Sequence, residues 1–169
     1  RLAWIRESFD DGIPGDATAA RALAGTADHA RAAGDTDLAL KLLSSAALRC
    51  WWIDPGQEAR DRVVAVADRV PVDPGHPRLL MTLAFAAPID RGAVVIDRLS
   101  RLAPDAGGDG RSARLLGGAA TAVGAFDLAA PFFAVAVAGL RSEGRLGLLA
   151  RALALQAWSA ANLVDVSVA

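Results

Sequence analysis

Gly and Pro divide this sequence at intervals that suit helices of three to five turns, and this spacing constrains the fold more than any other feature. Asp-Pro-Gly occurs at 54–56 and again at 73–75, and Pro88, Gly124 and Gly144 mark further breaks. The segments between them are rich in Ala and Leu and poor in aromatic residues, which favours helices over strands. We therefore predict an all-α fold. Its helices are expected over 1–9, 16–33, 36–52, 56–70, 76–87, 90–103, 110–123, 126–142 and 145–163.

The most apolar part of the chain raises the question of a membrane segment, because Asp127 is the only charged residue over 115–140. The uncharged run 128–140 has 13 residues, and a helix that spans a bilayer needs about 20. Gly124 and Asp127 interrupt the longer run at a predicted turn, and Pro131 is expected in the first turn of the next helix, where a missing N–H costs little. We therefore predict a buried helix and no membrane association.

Charge and cysteine content exclude several classes of protein. The net charge is -1 and the pI is about 6.1, so the chain lacks the excess of basic residues that favours binding to nucleic acid or to an anionic membrane. Cys50 is the only cysteine, which excludes an internal disulfide and a cysteine-based zinc site and leads us to expect a cytoplasmic protein. The chain begins at Arg1 with no signal-peptide pattern and stops within LVDVSVA, so 1–169 is predicted to be one helical-repeat domain, a fragment of a longer chain.

The predicted helices contain a weak repeat, in which a turn residue is followed five positions later by alanine. The spacings between successive turn residues are 39, 34, 36 and 40. Twelve positions after four of these turns the residue is again small or of modest size, as expected where two helices approach closely. The pairs are Gly15 and Ala20, Asp54 and Ala59, Pro88 and Ala93, Gly124 and Ala129, and Val164 and Ala169; the later positions are Ala27, Val66, Ser100 and Ala136.

A second alignment competes with this repeat. The segment from Gly34 to Ala46 matches the segment from Gly124 to Ala136 more closely than any pair above. It implies a separation of 90 residues, which a period of 34–40 does not divide evenly. We prefer the even spacing, with four complete helical hairpins and a fifth begun, and keep the second alignment as an alternative.

The best-preserved repeat resembles the tetratricopeptide repeat, since Gly124, Phe126, Ala129, Phe133 and Ala136 occupy its consensus places in order. This resemblance implies a right-handed α-solenoid of helical hairpins.

Longer segments, 42–70, 79–104 and 140–165, together resemble the helical-repeat region of large actinobacterial LuxR-family regulators. These are MalT-like proteins with an N-terminal ATPase module and a C-terminal helix-turn-helix. At 164–166 the chain has Val-Asp-Val where the resemblance leads us to expect Gly-Asp-Trp.

The resemblance implies a non-catalytic region that senses a small-molecule inducer or binds a protein partner, and that controls ATPase and DNA-binding modules elsewhere in the parent chain. This fragment would not itself contact nucleic acid. The alternative is a generic tetratricopeptide scaffold that binds peptide segments of partner proteins and has no link to transcription. A helical enzyme domain is the least supported hypothesis.

Few residues are suited to catalysis. His29 and His76 are the only histidines and lack the spacing of metal ligands, so both are predicted to be structural or solvent-exposed. The glycine-rich segment 103–112 lacks the lysine of a phosphate-binding loop and is predicted to be a connecting loop, and Asp10 with Asp11 is predicted to be an exposed helix end. We therefore expect no enzyme activity, no bound metal and no cofactor.

A candidate binding groove follows from the repeat. On the first helix of each tetratricopeptide hairpin, certain positions fall within an arc of about 100° and line the concave groove of known repeats. Aromatic and cationic side chains at these positions suit acidic peptides, sugars or flat anionic small molecules. The alternative is that the tryptophans pack in the core, as large aromatic residues at helical spacing more often do. The groove candidates are Lys41, Trp51, Trp52, Arg78, Phe85, Arg111, Arg114, Arg151 and Trp158, preceded by Ile5 and Phe9 on the first predicted helix.

Overall fold

The structure is a computed structural model that describes residues 17–102 and 109–163, and every regular element within these ranges is a helix. The prediction of an all-α chain is confirmed for them. The predicted helix 1–9, the acidic pair at 10–11, the turn residues Gly15 and Val164 and the altered turn 164–166 lie outside the described residues. The helices are α1 (Ala17–Ala32), α2 (Thr36–Trp52), α3 (Gln57–Ala67), α4 (Pro77–Ala86), α5 (Pro88–Ser100), α6 (Gly110–Ala122), α7 (Phe126–Ser142) and α8 (Leu146–Asn162).

Most predicted helix boundaries agree with the structure to within one residue, but α3 and α5 differ. The segment 56–70 is helical only to Ala67, and turns follow it. The helix predicted from residue 90 begins earlier, at Pro88, and ends at Ser100. Proline is well suited to the first position of a helix, because its φ is already helical and no N–H is needed there. Pro88 therefore starts α5 rather than separating it from α4.

Pro131 lies deeper in its helix than the sequence suggested. It is the sixth residue of α7, in the second turn, and its ring is exposed. An N–H at this position would donate to the carbonyl of Asp127, so proline removes one internal hydrogen bond of the helix. The expectation that Pro131 occupies the first turn, where nothing is lost, is wrong. None of the described helices is long and apolar enough to cross a membrane.

Three connections between helices share one glycine-based turn. Gly34, Gly124 and Gly144 have φ of 81°, 76° and 67°, a conformation that glycine adopts without steric cost. In each turn the N–H of the following residue donates to a carbonyl five residues earlier at 2.9 Å, the pattern of a Schellman motif. A helix then begins two residues after the Gly34 and Gly124 turns. This shared turn gives a local cause for the similarity between the segments from Gly34 to Ala46 and from Gly124 to Ala136.

The helices pack mainly against near neighbours in the chain. Each contacts the next one, and α2, α4, α6 and α8 also contact one another in series. In the odd-numbered set, α1 contacts α3. The even-numbered helices therefore form a row. The segment from Gly34 to Ala46 leads into α2, which belongs to this row, whereas the segment from Gly124 to Ala136 leads into α7, which does not. The main core lies between this row and the helices that cover it, and it is built largely from alanine and leucine.

The small residues predicted at close approaches are mostly buried. Five and twelve positions after three of the turns the side chains are fully buried, as expected: Ala20, Ala27, Ala59, Val66, Ala129 and Ala136.

The third repeat departs from this pattern. Ala93 and Ser100 are exposed, and the residues before them, Gly92 and Leu99, are buried instead. Counting from Ala87 rather than Pro88 corrects both positions. The prediction was wrong by one residue because Pro88 belongs to the helix and not to the turn.

The closest helix pairing is between α6 and α7, and glycines make it possible. A Cβ added at Gly110 would lie 2.8 Å from the backbone nitrogen of Leu140, and one at Gly139 would lie 3.1 Å from the Cα of Gly110. A Cβ at Gly117 would lie 2.8 Å from the ring of Phe133, the largest fully buried side chain. Any larger residue at these positions would push the two helices apart.

Candidate binding face

The row of even-numbered helices carries a repeated pattern on one side, which we call the even-helix face. Residues seven positions apart lie on the same side of a helix and are separated by about 10 Å along its axis. On α4, α6 and α8 an arginine is followed at this distance by an aromatic residue or a threonine. The three pairs are Arg78 and Phe85, Arg114 and Thr121, and Arg151 and Trp158.

Short contacts connect neighbouring helices across this face. The hydroxyl oxygens of Ser44 and Thr82 lie 3.5 Å apart and join α2 to α4. Those of Thr121 and Ser159 lie 3.1 Å apart and join α6 to α8. Between α4 and α6, a Cβ added at Gly118 would lie 4.0 Å from the Phe85 ring, so the absence of a side chain leaves room beside that ring. The even-numbered helices are therefore packed side by side from α2 to α8.

One end of the face is aromatic. The rings of Trp51 and Phe85 contact each other across α2 and α4, with centroids 5.1 Å apart and planes tilted by 57°. Trp51 is 41% exposed, Trp52 77% and Trp158 60%. The alternative that these tryptophans pack in the core is wrong for Trp52 and Trp158, and Trp51 is only partly covered. Trp4, Ile5 and Phe9 lie outside the described residues.

The other end is positively charged, and we call Arg78, Arg114 and Arg151 the cationic cluster. Arg114 is partly buried, and its Nε atom is buried with no hydrogen-bond partner. Burial lowers the pKa of Arg114, and the nearby charges of Arg151 and Arg78 lower it further. Arginine nevertheless stays protonated in proteins. Within residues 17–102 and 109–163 none of the three forms an ion pair with a carboxylate.

Among the remaining predicted site residues, Lys41 lies near one member of this cluster, because the charge of Arg78 also acts on its partner Asp37. Lys41 forms an ion pair with Asp37 one turn earlier on α2, and its hydrogen bond holds the pKa of Asp37 below the usual value. Trp52 ends α2 and is the most exposed tryptophan of those described. Arg111 is exposed in the first turn of α6 and is not among the charges that lower the pKa of Arg114. The structure therefore joins Arg78, Arg114 and Arg151 at one end and Trp51 with Phe85 at the other.

Sequence reasoning did not identify Arg60, which positions the aromatic end. From α3 its guanidinium donates to the carbonyl of Cys50 at 2.6 Å and to the carbonyl of Ala86 at 2.8 Å. These carbonyls lie at the C-terminal ends of α2 and α4, where no backbone N–H of the same helix follows to donate to them. Asp54 forms an ion pair with the same guanidinium at 3.3 Å. No spacing pattern in the sequence indicates this role, because the two acceptors are backbone atoms brought together only by packing.

The histidines have structural or exposed positions, as predicted. His76 caps α4, where its Nδ1 accepts a hydrogen bond from the backbone N–H of Arg78 at 3.3 Å, and His29 is exposed. In the part of the chain that the structure describes, no three His, Cys, Asp or Glu side chains lie close enough to hold a metal ion.

Two open clefts lie near these elements. One, between α3 and α5, has a volume of about 400 Å³ and is lined by Asp61, Asp68, Asp90 and Arg91 among others. The second lies at the start of α8 and has a volume of about 410 Å³. Arg151 of the cationic cluster forms part of its wall, together with Arg145. The second cleft therefore adjoins the charged end of the even-helix face.

No family model, curated protein or solved structure matches this chain. The arguments for its function therefore come from the residues of the face itself.

Proposed function

We propose that this chain is a non-catalytic ligand-sensing or protein-interaction region of a LuxR-type transcriptional regulator, and that the even-helix face is its binding surface. The observation that carries the binding proposal is the combination of exposed tryptophans with arginines that form no ion pair among the described residues, on one continuous row of helices. Tryptophan and arginine are the side chains that contribute most to recognition when a partner covers them. The assignment to a regulator rests on the sequence resemblance alone.

The proposed architecture is a right-handed solenoid of tetratricopeptide-like hairpins. Contacts between successive helices, together with a row formed by every second helix, support it. In such an array the first helices of the hairpins line the concave surface. Here those helices are α2, α4, α6 and α8, so the even-helix face is the proposed concave surface. A concave surface allows one ligand or peptide to contact several helices at once.

The binding surface is tested by a thermal-shift screen of sugars, metabolites and acidic peptides. A ligand that binds only the folded chain raises its melting temperature. We expect the ligand to stabilise the wild type and the control Ile89→Ala, because Ile89 is 92% exposed on α5, away from the even row. We expect Trp158→Ala to lose the effect. A ligand that stabilises Trp51→Ala, Trp158→Ala and the wild type equally would place binding elsewhere and contradict the proposal.

The link to transcription is tested by sequencing the gene on both sides of this segment. A phosphate-binding ATPase module upstream and a helix-turn-helix downstream are expected. Different neighbours would exclude the regulator and leave the scaffold that binds peptide segments.

A further inference from the structure

The cationic cluster concentrates charge in a way that folding does not require. Arg78, Arg114 and Arg151 come from three successive helices of the even row, and the charges of the outer two reach the central one. The chain as a whole has a net charge of -1, so the cluster is local and is not part of a generally basic surface. Like charges in proximity repel each other, and a partly buried position weakens the screening by water.

Several other arginines of this protein are matched with acceptors. Arg31 and Arg69 bind Asp28, and Arg91 binds Asp68. Arg60 has two carbonyls and a carboxylate. By contrast, the Nε of Arg114 is buried without any partner in the described residues. A buried donor left unsatisfied is costly, and in native proteins nearly every such group has a partner from the protein, ordered water, an ion or a ligand.

We infer that Arg78, Arg114 and Arg151 form a binding site for an oxyanion group with two or more negative charges, such as the phosphate of a small phosphorylated ligand. This inference rests on the proposed function, since it assigns a ligand class to the same face. A guanidinium presents parallel N–H donors that match the oxygens of phosphate or carboxylate. Three guanidinium groups carry three positive charges, whereas a carboxylate carries one negative charge. The ligand group is therefore expected to carry two or more.

The surroundings are consistent with a small ligand. The adjoining cleft of about 410 Å³ at the start of α8 leaves room beside Arg151 for the rest of such a molecule. Ser112 and the backbone N–H groups at the start of α6 are already occupied by Asp109, so the arginines are the donors that remain for a ligand.

The test measures binding of inorganic phosphate, pyrophosphate and citrate to the full chain, by calorimetry and thermal shift at constant ionic strength. Chloride is the monovalent control. We expect a saturable rise in melting temperature with the multivalent anions and none with chloride. A stronger effect of pyrophosphate than of citrate identifies a phosphate group as the natural chemistry, and the reverse identifies a polycarboxylate.

Variants locate the site. Arg114→Gln, Arg78→Gln and Arg151→Gln should each weaken binding at least about tenfold, because each removes a charge-assisted hydrogen bond. Arg114→Lys keeps the charge but not the forked donors, so we expect an intermediate loss. The matched control is Arg141→Gln, which removes one positive charge from an exposed position at the end of α7. It should bind as the wild type does.

Folding is controlled within the same experiment. Arg114→Gln removes a repelling charge, so its melting temperature without ligand should equal or exceed that of the wild type, and lost binding cannot then be attributed to unfolding. No saturable response of the wild type up to about 10 mM anion, or an equal response of Arg114→Gln and the wild type, would overturn the inference. Binding of an uncharged sugar that depends on Trp158, without any anion response, would overturn this inference and leave the proposed function standing.

Discussion

Arg60 and Arg114 are both partly buried arginines, and they have opposite relations to their surroundings. Arg60 donates to the carbonyls that end α2 and α4 and pairs with Asp54. Arg114 has a buried Nε without a partner in 17–102 or 109–163, and two other arginines lie nearby. Arg60 therefore contributes to the fold, and Arg114 is retained at a cost to it. This difference distinguishes contacts that specify the structure from a surface that we propose binds a ligand.

The largest effect is expected from Arg60→Met. The substitution keeps most of the side-chain volume but leaves the carbonyls of Cys50 and Ala86 without donors, and hydrogen bonds to a charged group contribute about 1.5–3 kcal/mol each. We expect the free energy of unfolding to fall by about 3 kcal/mol, measured by urea denaturation. Arg141→Met is the control at an exposed position and should change stability by less than about 0.5 kcal/mol. An equally small effect of Arg60→Met would contradict the conclusion that Arg60, unlike Arg114, stabilises the fold.

Glycine substitutions test whether stability depends on the close approach of α6 and α7 as it is expected to depend on the hydrogen bonds of Arg60. Gly110→Ala places a Cβ 2.8 Å from the Leu140 backbone nitrogen, and overpacking of this kind costs about 1–3 kcal/mol. Gly25, within α1, has nothing within 4 Å of an added Cβ. Gly25→Ala should therefore stabilise the chain by about 0.5–1 kcal/mol, through the higher helix propensity of alanine. The two variants should shift the denaturation midpoint in opposite directions, and a shift in the same direction would contradict the close approach of α6 and α7.

Arg114→Met is the counterpart of Arg60→Met. It removes a partly buried charge whose Nε has no partner among the residues that the structure describes, and it relieves repulsion from Arg78 and Arg151. We expect the free energy of unfolding to rise by about 0.5–1 kcal/mol, since replacing an unmatched buried charge by an apolar group of similar volume is neutral or stabilising. The same urea denaturation measures it. A loss comparable to that of Arg60→Met would indicate that Arg114 has a structural partner after all.

The smallest effect concerns pH. Burial and the charge of Arg78 lower the pKa of His76 below its usual value, and this outweighs the opposite influence of Asp37 and Asp73. As the pH falls below about 6.5, the unfolded chain takes up the proton before the folded one does, so stability is lost at lower pH and is fully present above it. His76→Asn, which retains a capping side chain, should flatten this dependence below about pH 6.5.

Arg78→Gln sharpens this last test, because it removes a neighbouring charge that acts on His76. The pKa of His76, followed by NMR titration, should move upward towards its usual value. An unchanged pKa would mean that the charge of Arg78 does not reach His76.

Much of the fold follows from local sequence signals. Gly34, Gly124 and Gly144 end helices by the same left-handed turn, and a glycine at such a point is visible in the sequence. Small residues five and twelve positions after a turn indicated buried positions correctly in three repeats, and in the repeat that starts at Pro88 both positions were wrong by one residue. That error arose at Pro88, since a proline can begin a helix as readily as it can end one, and the sequence does not distinguish the two.

The sequence by itself thus determined the helical class, most helix boundaries and the residues that could form a charged and aromatic face. Only the tertiary structure decided which of those residues belong together. Lys41 and Arg78 were both groove candidates in the sequence pattern, but Lys41 is paired with Asp37 and Arg78 lies beside Arg114. The physical reason is that periodicity assigns a side chain to one face of its own helix, whereas its ion-pair partners and burial depend on the helices packed beside it. The role of Arg60, whose acceptors are backbone carbonyls on two other helices, depends on that packing entirely.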